Sequence, residues 1–146
     1  MPNRSPFDSM ASSVNEHLAL TPPAATMLGR QIVRVDADTG VVELAFFAKP
    51  EFANRHGSVQ GGLVSAMLDS ATSAALLAQL PPELTSVTVE LTTAFVKPAP
   101  LGPLTAKAWV VSRHDRDAET RGELYAPDGV MVAHASAKLR IRRRER

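Results

Sequence analysis

The stretch from Gly57 to Leu80 combines helical periodicity with an almost complete lack of charge. Glycines open it and Pro81-Pro82 closes it, which predicts a helix from about Gly61 to Gln79. Its apolar and small residues recur at the spacing of one helix face: Leu63, Ala66, Met67, Ser70, Ala71, Ala74, Leu77 and Ala78. Because this helix carries so little charge, we expect most of its sides to be buried.

Strand-like segments stand on both sides of this helix. Two of them precede it and flank Asp36 to Gly40, which predicts a hairpin, and four follow it, separated by turns that contain Pro or Gly. The segments are Gln31 to Val35, Val41 to Phe47, Thr85 to Val96, Leu104 to Ser112, Glu119 to Tyr125 and Val130 to Ile141.

Strict alternation assigns the side chains of Thr85 to Val96 to two faces. One face would carry Val87, Val89, Leu91, Thr93 and Phe95, and the other Ser86, Thr88, Glu90 and Thr92. This parity places Thr88 and Phe95 on opposite sides of the strand.

The order of elements predicts an α+β fold, in which one long central helix packs against a curved antiparallel sheet of about five to six strands. Upstream, Ala11 to Leu20 is expected to form a short helix, and Ala24 to Leu28 a further helical turn that Gly29 ends. We therefore divide the chain into a partly helical extension (1–22), the main domain (23–142) and a basic tail (143–146).

A sheet with a single helix leaves one face and its edges uncovered. Pairing with a second copy of the chain is a simple way to cover them. The architecture alone therefore favours a homodimer.

Composition narrows the class of protein. The 146 residues are 45% hydrophobic, which suits one domain with a full core, and the net charge is only +1. The absence of Cys excludes disulfides and thiol chemistry, and the N-terminus lacks the apolar core of a signal peptide, so we expect a cytoplasmic protein. Neither a membrane nor a nucleic acid is expected as a partner, since the helix contains polar groups and no recognition pattern occurs.

Asp69 is the only ionisable side chain in the predicted helix. A lone carboxylate among apolar residues costs free energy unless it is paired or hydrogen-bonded, which makes Asp69 a functional candidate. The helix N-terminus at Gly61-Gly62 offers free N–H groups for a carbonyl oxygen or an oxyanion. Eight residues, about 12 Å of axial rise, separate Gly61 from Asp69.

One helix cannot place both groups on a single carbonyl. Two antiparallel helices of a symmetric dimer can do so, with Gly61 of each subunit opposite Asp69 of its partner. The alternative is structural: the two glycines form a tight turn, and Asp69 is a hydrogen-bonded buried carboxylate.

The four histidines show no metal-ligand spacing, so no metal site is predicted. His56 precedes the helix and is a candidate for contact with a ligand. At the C-terminus, Lys138, Arg140 and Arg142 alternate on one side of the last strand, where they either meet phosphates or form a solvated face.

Two runs of residues resemble the hotdog-fold acyl-CoA thioesterases of the phenylacetate-pathway (PaaI-like) type. They are Asn54…Gly57-Ser58-Val59-Gln60-Gly61-Gly62…Leu68-Asp69-Ser70-Ala71 and Thr88-Val89-Glu90-Leu91…Phe95-Val96-Lys97-Pro98-Ala99. The resemblance spans about residues 23–141. It implies a hotdog fold, hydrolysis of an acyl-CoA substrate without a cofactor, and a homodimer that usually pairs into a dimer of dimers.

The resemblance also implies roles for single residues. Asp69 would be the catalytic general base or nucleophile, and the Gly61 N–H would polarise the thioester carbonyl. Asn54 would help to set the substrate or water, and Thr88 would lie near the carboxylate. Where the family usually has His-Gly-Gly, this chain has Gln60-Gly61-Gly62, and Gln can orient a substrate but cannot carry a proton.

The acyl group is expected along the apolar dimer seam, near Leu63, Met67 and Leu68. Arg113 and the basic residues from Lys138 to Arg142 are candidates for binding the phosphates of CoA. Two other functions stay open: a non-catalytic acyl-CoA-binding or regulatory module, which the Gln60 replacement allows, and a hotdog dehydratase or hydratase.

Overall fold

The computed structural model describes residues 15–145. Within this range, six strands and two α-helices follow one another, together with short 3-10 helices at Glu16–Ala19 and Pro50–Phe52. The α-helices are α1 (Pro23–Met27) and α2 (Gly61–Leu77). The strands are β1 (Gln31–Val35), β2 (Val42–Ala48), β3 (Leu84–Phe95), β4 (Gly102–Arg113), β5 (Asp117–Tyr125) and β6 (Met131–Arg143).

The strands form one antiparallel sheet in the order β1-β2-β4-β5-β6-β3. The predicted hairpin between β1 and β2 is confirmed. At its turn, the main-chain N–H groups of Thr39 and Asp38 donate to Oδ1 of Asp36, at 3.1 and 2.9 Å. These two bonds favour the charged carboxylate and lower the pKa of Asp36. Strand β3 comes last in this order and pairs with β6, so it lies at an edge of the sheet.

Helix α2 packs across the sheet and contacts β2, β3, β4, β5 and β6. Met67, Leu68, Ala71 and Ala75 are fully buried on the side of α2 that faces the core. The sheet offers small residues to this helix, which lets the two layers approach closely: Ala106, Ala108, Gly122, Ala133, Ala135 and Ala137. A Cβ added to Gly122 would lie 3.1 Å from Cγ2 of Thr72. The predicted α+β arrangement is confirmed.

Residues before α1 pack onto this core. Leu18 is buried in the main hydrophobic cluster, and the buried Asn15 side chain donates to the carbonyls of Pro81 and Leu84 at 3.2 and 3.4 Å. The helix predicted from Ala11 to Leu20 is only partly seen: its first residues lie outside the described chain, and Glu16–Ala19 is a single 3-10 turn.

The predicted faces of β3 are wrong for the first half of the strand. The pairing with β6 shifts by one residue between Thr88 and Glu90, so Val89 is an extra residue in the ladder. A β-bulge of this kind reverses the facing of the residues on one side of it. As a result Thr88 points to α2, as Thr93 does, whereas Val87 and Val89 are 45% and 60% exposed.

The outward-facing side of β6 is polar. Along β6, the exposed residues His134, Ser136, Lys138, Arg140 and Arg142 alternate with buried apolar ones, as the sequence predicts. Lys138 lies 3.6 Å from Glu90, and Arg140 lies 3.8 Å from Asp117. Among the described residues, no helix has both the length and the apolar character needed to cross a membrane.

Candidate active site

The carboxylate of Asp69 lies on the side of α2 that faces β3. Its residue is half-buried, and Oδ1 accepts a hydrogen bond of 2.8 Å from the Thr88 hydroxyl. The two residues are 19 positions apart, so the fold brings them together. Because the bulge at Val89 turns Thr88 towards the helix, the contact depends on that irregularity.

Two further hydroxyls of α2 reach the same strand. The Ser73 Oγ lies 3.2 Å from Thr88 Oγ1, and Ser65 donates to Thr93 Oγ1 at 3.0 Å. Residues 65, 69 and 73 are spaced four apart, so they form one line along the helix. This side of α2 is therefore a polar seam, in which Asp69 has a serine one turn before it and another one turn after it.

The Asp69 carboxylate is held by a hydroxyl. Within residues 15–145, no Lys, Arg or His nitrogen lies within 4.0 Å of it. Arg30 reaches α2 at a different residue, with Nη1 3.4 Å from the Ser70 Oγ, and burial lowers the pKa of its guanidinium. In this part of the chain, the direct side-chain partner of the Asp69 carboxylate is therefore the Thr88 hydroxyl.

The N-terminus of α2 forms the second part of the site. Gly61 is the first helical residue, and its N-cap, Gln60, is exposed and makes no side-chain capping bond to any described residue. The first N–H groups of a helix have no acceptor within it, and the helix dipole makes this end electropositive. The edge of the Phe95 ring lies 3.4 Å from the position that a Cβ of residue 61 would take. Gly61 thus leaves this end open to a ligand beside an aromatic ring.

A cavity of about 480 Å³ opens at this end of the helix. It is lined by Asn54, His56, Ser58, Val59, Gly61, Val64, Phe95, Val96, Lys97, Pro98, Ala99 and Val132. Phe95 is 58% exposed, so a large apolar surface is available at the wall of the cavity. Lys97 and His56 are the basic side chains of this lining, and its other residues are apolar or carry uncharged polar groups.

The side chain of Asn54 shapes the loop that forms part of this wall. Its Oδ1 accepts from the N–H groups of His56 (2.9 Å) and Ser58 (3.2 Å), and its Nδ2 donates to the Ser58 hydroxyl (3.0 Å). Gly57 has a φ of 81°, a conformation that glycine adopts without strain, and completes the turn. Asn54 therefore uses its hydrogen-bonding groups to fix the loop that carries His56.

The structure separates the predicted site residues into two groups. Gly61, Asn54 and His56 line the cavity, and Gln60 and Gly62 adjoin it as exposed residues. Asp69 and Thr88 form a second group on the flank of α2. The helix is continuous from Gly61 to Asp69, which is eight positions further on, so about 12 Å of axial rise separates the groups in one chain.

The three predicted acyl contacts differ in accessibility. Met67 and Leu68 are 0% exposed within the core, whereas Leu63 is half-buried and packs against its surface. In a single chain an acyl group can touch Leu63, but it reaches Met67 and Leu68 only if the core opens. Arg113 donates to the carbonyl of Gln79 at 3.2 Å, near the far end of α2.

Sequence reasoning missed Ser73 and the role of Phe95 in the cavity wall. Ser73 could have been found from its spacing, since it follows Asp69 by four residues on the same helix face. Parity placed Phe95 on the correct face of β3, but its contact with the start of α2 depends on how the helix packs on the sheet. Among the described residues, no three His, Asp or Glu side chains converge as a metal site would require.

Comparisons with known proteins agree with this architecture. The model of the thioesterase superfamily matches residues 56–133, which include Gly61, Asp69 and Thr88. The phenylacetic acid degradation-related protein of Ralstonia eutropha JMP134 is 35% identical, with 84% of this chain and 92% of that chain covered and a TM-score of 0.79. A thioesterase family protein of Silicibacter pomeroyi is 28% identical, with coverages of 92% and 93% and a TM-score of 0.75.

The PaaI protein of the E. coli phenylacetic acid degradation operon shares the fold at 23% identity, with coverages of 92% and 88% and a TM-score of 0.74. No curated protein matched the sequence. The fold is thus the hotdog fold that the resemblance implied. The chain belongs to the thioesterase superfamily, and it is a thioester hydrolase.

Proposed function

We propose that this protein hydrolyses acyl-CoA, so that acyl-S-CoA and water give a free carboxylate and CoASH. The observation that carries the proposal is the Asp69 carboxylate of α2, which accepts a hydrogen bond from Thr88 in a chain of this family and has no ion-pair partner among the described residues. Gly61 supplies the N–H group for the thioester oxygen. No metal or organic cofactor takes part in the proposed reaction.

The site is proposed to lie between two subunits. Gly61 and Asp69 of one chain are too far apart to act on the same carbonyl, as the rise along α2 shows. In a two-fold dimer with antiparallel α2 helices, Gly61 of each chain approaches Asp69 of the partner subunit. The half-exposed polar seam of α2 and the free edge of β3 are the surfaces proposed to meet such a partner.

The chemistry follows from this placement. The Gly61 N–H and the helix dipole stabilise negative charge on the thioester oxygen, while Asp69 of the partner subunit takes a proton from the attacking water. The C–S bond then breaks, and the thiolate leaves without needing a general acid. Asp69 attacking the carbonyl carbon directly is the other course, with an anhydride as the intermediate.

The exposed side chain of Gln60 is proposed to orient the thioester by hydrogen bonding. It adjoins Gly61, where the family usually has His, and it can donate and accept but cannot transfer a proton. A Gln60→Ala variant should therefore lose more activity than Gln60→His. Equal activity of both variants and the wild type would exclude a role for residue 60.

The substrate is proposed to use the cavity beside Gly61 and Phe95, with Leu63 near the acyl group. For the CoA phosphates, the exposed cations from Lys138 to Arg142 and Arg113 are the candidates. A dimer of dimers and a cytoplasmic location complete the proposal. Analytical ultracentrifugation of the purified protein tests the first of these, and localisation of a tagged chain tests the second.

The main experiment measures CoASH release from phenylacetyl-, benzoyl-, short-chain and medium-chain acyl-CoA, for the wild type and Asp69→Asn. We expect turnover by the wild type and a loss of about a hundredfold or more in the variant. Equal turnover by both proteins would show that Asp69 is structural. Binding of acyl-CoA without turnover by either would favour the non-catalytic binding module.

Subunit complementation tests the shared site. Gly61→Val and Asp69→Asn are each expected to be nearly inactive as homodimers. Refolding them together produces mixed dimers in which one of the two sites has both intact groups, so about a quarter of the wild-type activity should return. If each site lay within one chain, no activity would return.

Single-turnover hydrolysis in ¹⁸O-labelled water separates the two roles of Asp69. A general base puts the label into the product in the first turnover. Direct attack, followed by hydrolysis at the Asp69 carbonyl, first puts an unlabelled carboxylate oxygen into the product.

A further inference from the structure

The hydroxyls of Ser73 and Thr88 and the carboxylate of Asp69 form a chain of hydrogen bonds between α2 and β3. Thr88 Oγ1 lies 2.8 Å from Asp69 Oδ1 and 3.2 Å from Ser73 Oγ. An ionised carboxylate can only accept, so the single proton of the Thr88 hydroxyl is donated to Asp69. Ser73 must then donate to Thr88, so donation runs from Ser73 to Thr88 and from Thr88 to Asp69.

The surroundings leave Ser73 free for this contact. A serine within a helix often donates to the carbonyl four residues earlier, which for Ser73 is that of Asp69. Here the Thr72 hydroxyl already donates to the Asp69 carbonyl at 3.1 Å and to the Leu68 carbonyl at 2.7 Å. Ser73 instead reaches across to Thr88, 15 positions along the chain.

We propose that Ser73 is a positioning residue, which acts on Asp69 through the Thr88 hydroxyl. By donating to Thr88, Ser73 fixes the direction of that hydroxyl proton, and successive hydrogen bonds polarise one another. Oδ1 of Asp69 is then occupied by Thr88, which leaves Oδ2 as the oxygen that would take the proton of the attacking water. The inference rests on the proposed function of Asp69.

The same pair of elements supplies a matched control. The Ser65 hydroxyl joins α2 to β3 by a similar bond, which it donates to Thr93 Oγ1 at 3.0 Å and not to Thr88 or the Asp69 carboxylate. If such bonds only fastened the helix to the strand, loss of either serine hydroxyl would have the same effect. We call the chain of hydrogen bonds from Ser73 through Thr88 to Asp69 the relay. If the relay positions the carboxylate, the two losses should differ in their effect on catalysis.

The test compares Ser73→Ala with Ser65→Ala in the full-length protein, on the best acyl-CoA of the panel. Ser73→Ala should lower kcat about fivefold with KM unchanged, because one hydrogen bond that orients the carboxylate is lost. Ser65→Ala should change kcat by less than about twofold. Equal kcat values for the two variants would overturn the relay.

A double-mutant cycle tests the path through Thr88. Once Thr88→Val has cut the relay, adding Ser73→Ala should have almost no further effect on kcat. Additive losses would show that Ser73 does not act through Thr88 and would contradict the proposal.

A spectroscopic readout separates this inference from the proposed function. The ¹³C resonance of the Asp69 carboxyl carbon, assigned by its loss in Asp69→Asn, should move in Ser73→Ala and stay in place in Ser65→Ala. If the wild type hydrolyses no acyl-CoA, the proposed function fails, but this measurement still decides whether Ser73 reaches Asp69. An unmoved resonance in Ser73→Ala would exclude the relay in either case.

Discussion

Two flanks of α2 differ in chemistry although they belong to the same 17-residue helix. The core flank, formed by Met67, Leu68, Ala71 and Ala75, is fully buried and packs on small residues of the sheet. The seam flank, formed by Ser65, Asp69 and Ser73, is half-buried and faces hydroxyls of β3. Leu68 and Asp69 are neighbours in sequence, yet they lie on different flanks.

The comparison separates what keeps the chain folded from what the site uses. Burial of apolar groups at native packing density stabilises the core flank, so a change there should appear in the free energy of unfolding. The seam flank buries little apolar surface, and its polar groups are arranged around one carboxylate. Changes at Asp69 and at Ser73, which is joined to it through Thr88, should appear mainly in kcat.

Asp69→Asn should produce the largest loss of activity and almost no loss of stability. The variant is isosteric and can still accept from Thr88, so we expect the free energy of unfolding to stay within about 0.5 kcal/mol of the wild type. Urea denaturation measures this next to the CoASH assay. A destabilisation of several kcal/mol would mean that Asp69 belongs with the core flank.

Leu68→Ala should show the converse behaviour. The side chain is 0% exposed and lies against β5 near Gly122, so its truncation leaves a cavity and should cost about 3 kcal/mol. Below the unfolding transition, kcat per folded molecule should stay within about threefold of the wild type. A large loss of kcat in a fully folded variant would show that Leu68 contacts the acyl group after all.

Thr88→Val should lower kcat about tenfold, since the carboxylate loses its direct donor while the volume at residue 88 is kept. Thr88→Ser retains the hydroxyl and serves as the matched control, with activity close to that of the wild type. Equal losses of kcat in Thr88→Val and Thr88→Ser would contradict this prediction, because the Thr88 hydroxyl would then make no contribution to catalysis.

Gly122→Ala should have the smallest effect. The new Cβ would lie 3.1 Å from Thr72 Cγ2 and 3.4 Å from Leu68 Cδ2, so the core flank must shift slightly, at a cost of about 1 kcal/mol. Thermal unfolding measures this cost, and the CoASH assay should show little change. A marked loss of activity at full stability would indicate that small movements of α2 reach Asp69.

The amino-acid sequence alone was enough to predict the secondary-structure elements and to single out Asp69 as the main candidate catalytic residue. The helical spacing of apolar residues, with glycines before it and a Pro-Pro pair after it, predicted the C-terminal end of α2 to within two residues. Strand boundaries for β1 to β6 agree to within about two residues at most ends. Asp69 stood out because a single charge in such a helix costs free energy unless the fold stabilises it.

Only the tertiary structure decided which groups meet. The strand order places β3 beside β6 and leaves it at an edge, which no local pattern encodes. The bulge at Val89 turns Thr88 towards α2, and alternation cannot reveal it because a single inserted residue is invisible in a strand of mixed polarity. The contacts of Thr88 with Asp69 and Ser73 join separate elements, and such pairings depend on how a helix settles on a sheet rather than on the residues next to it in the chain.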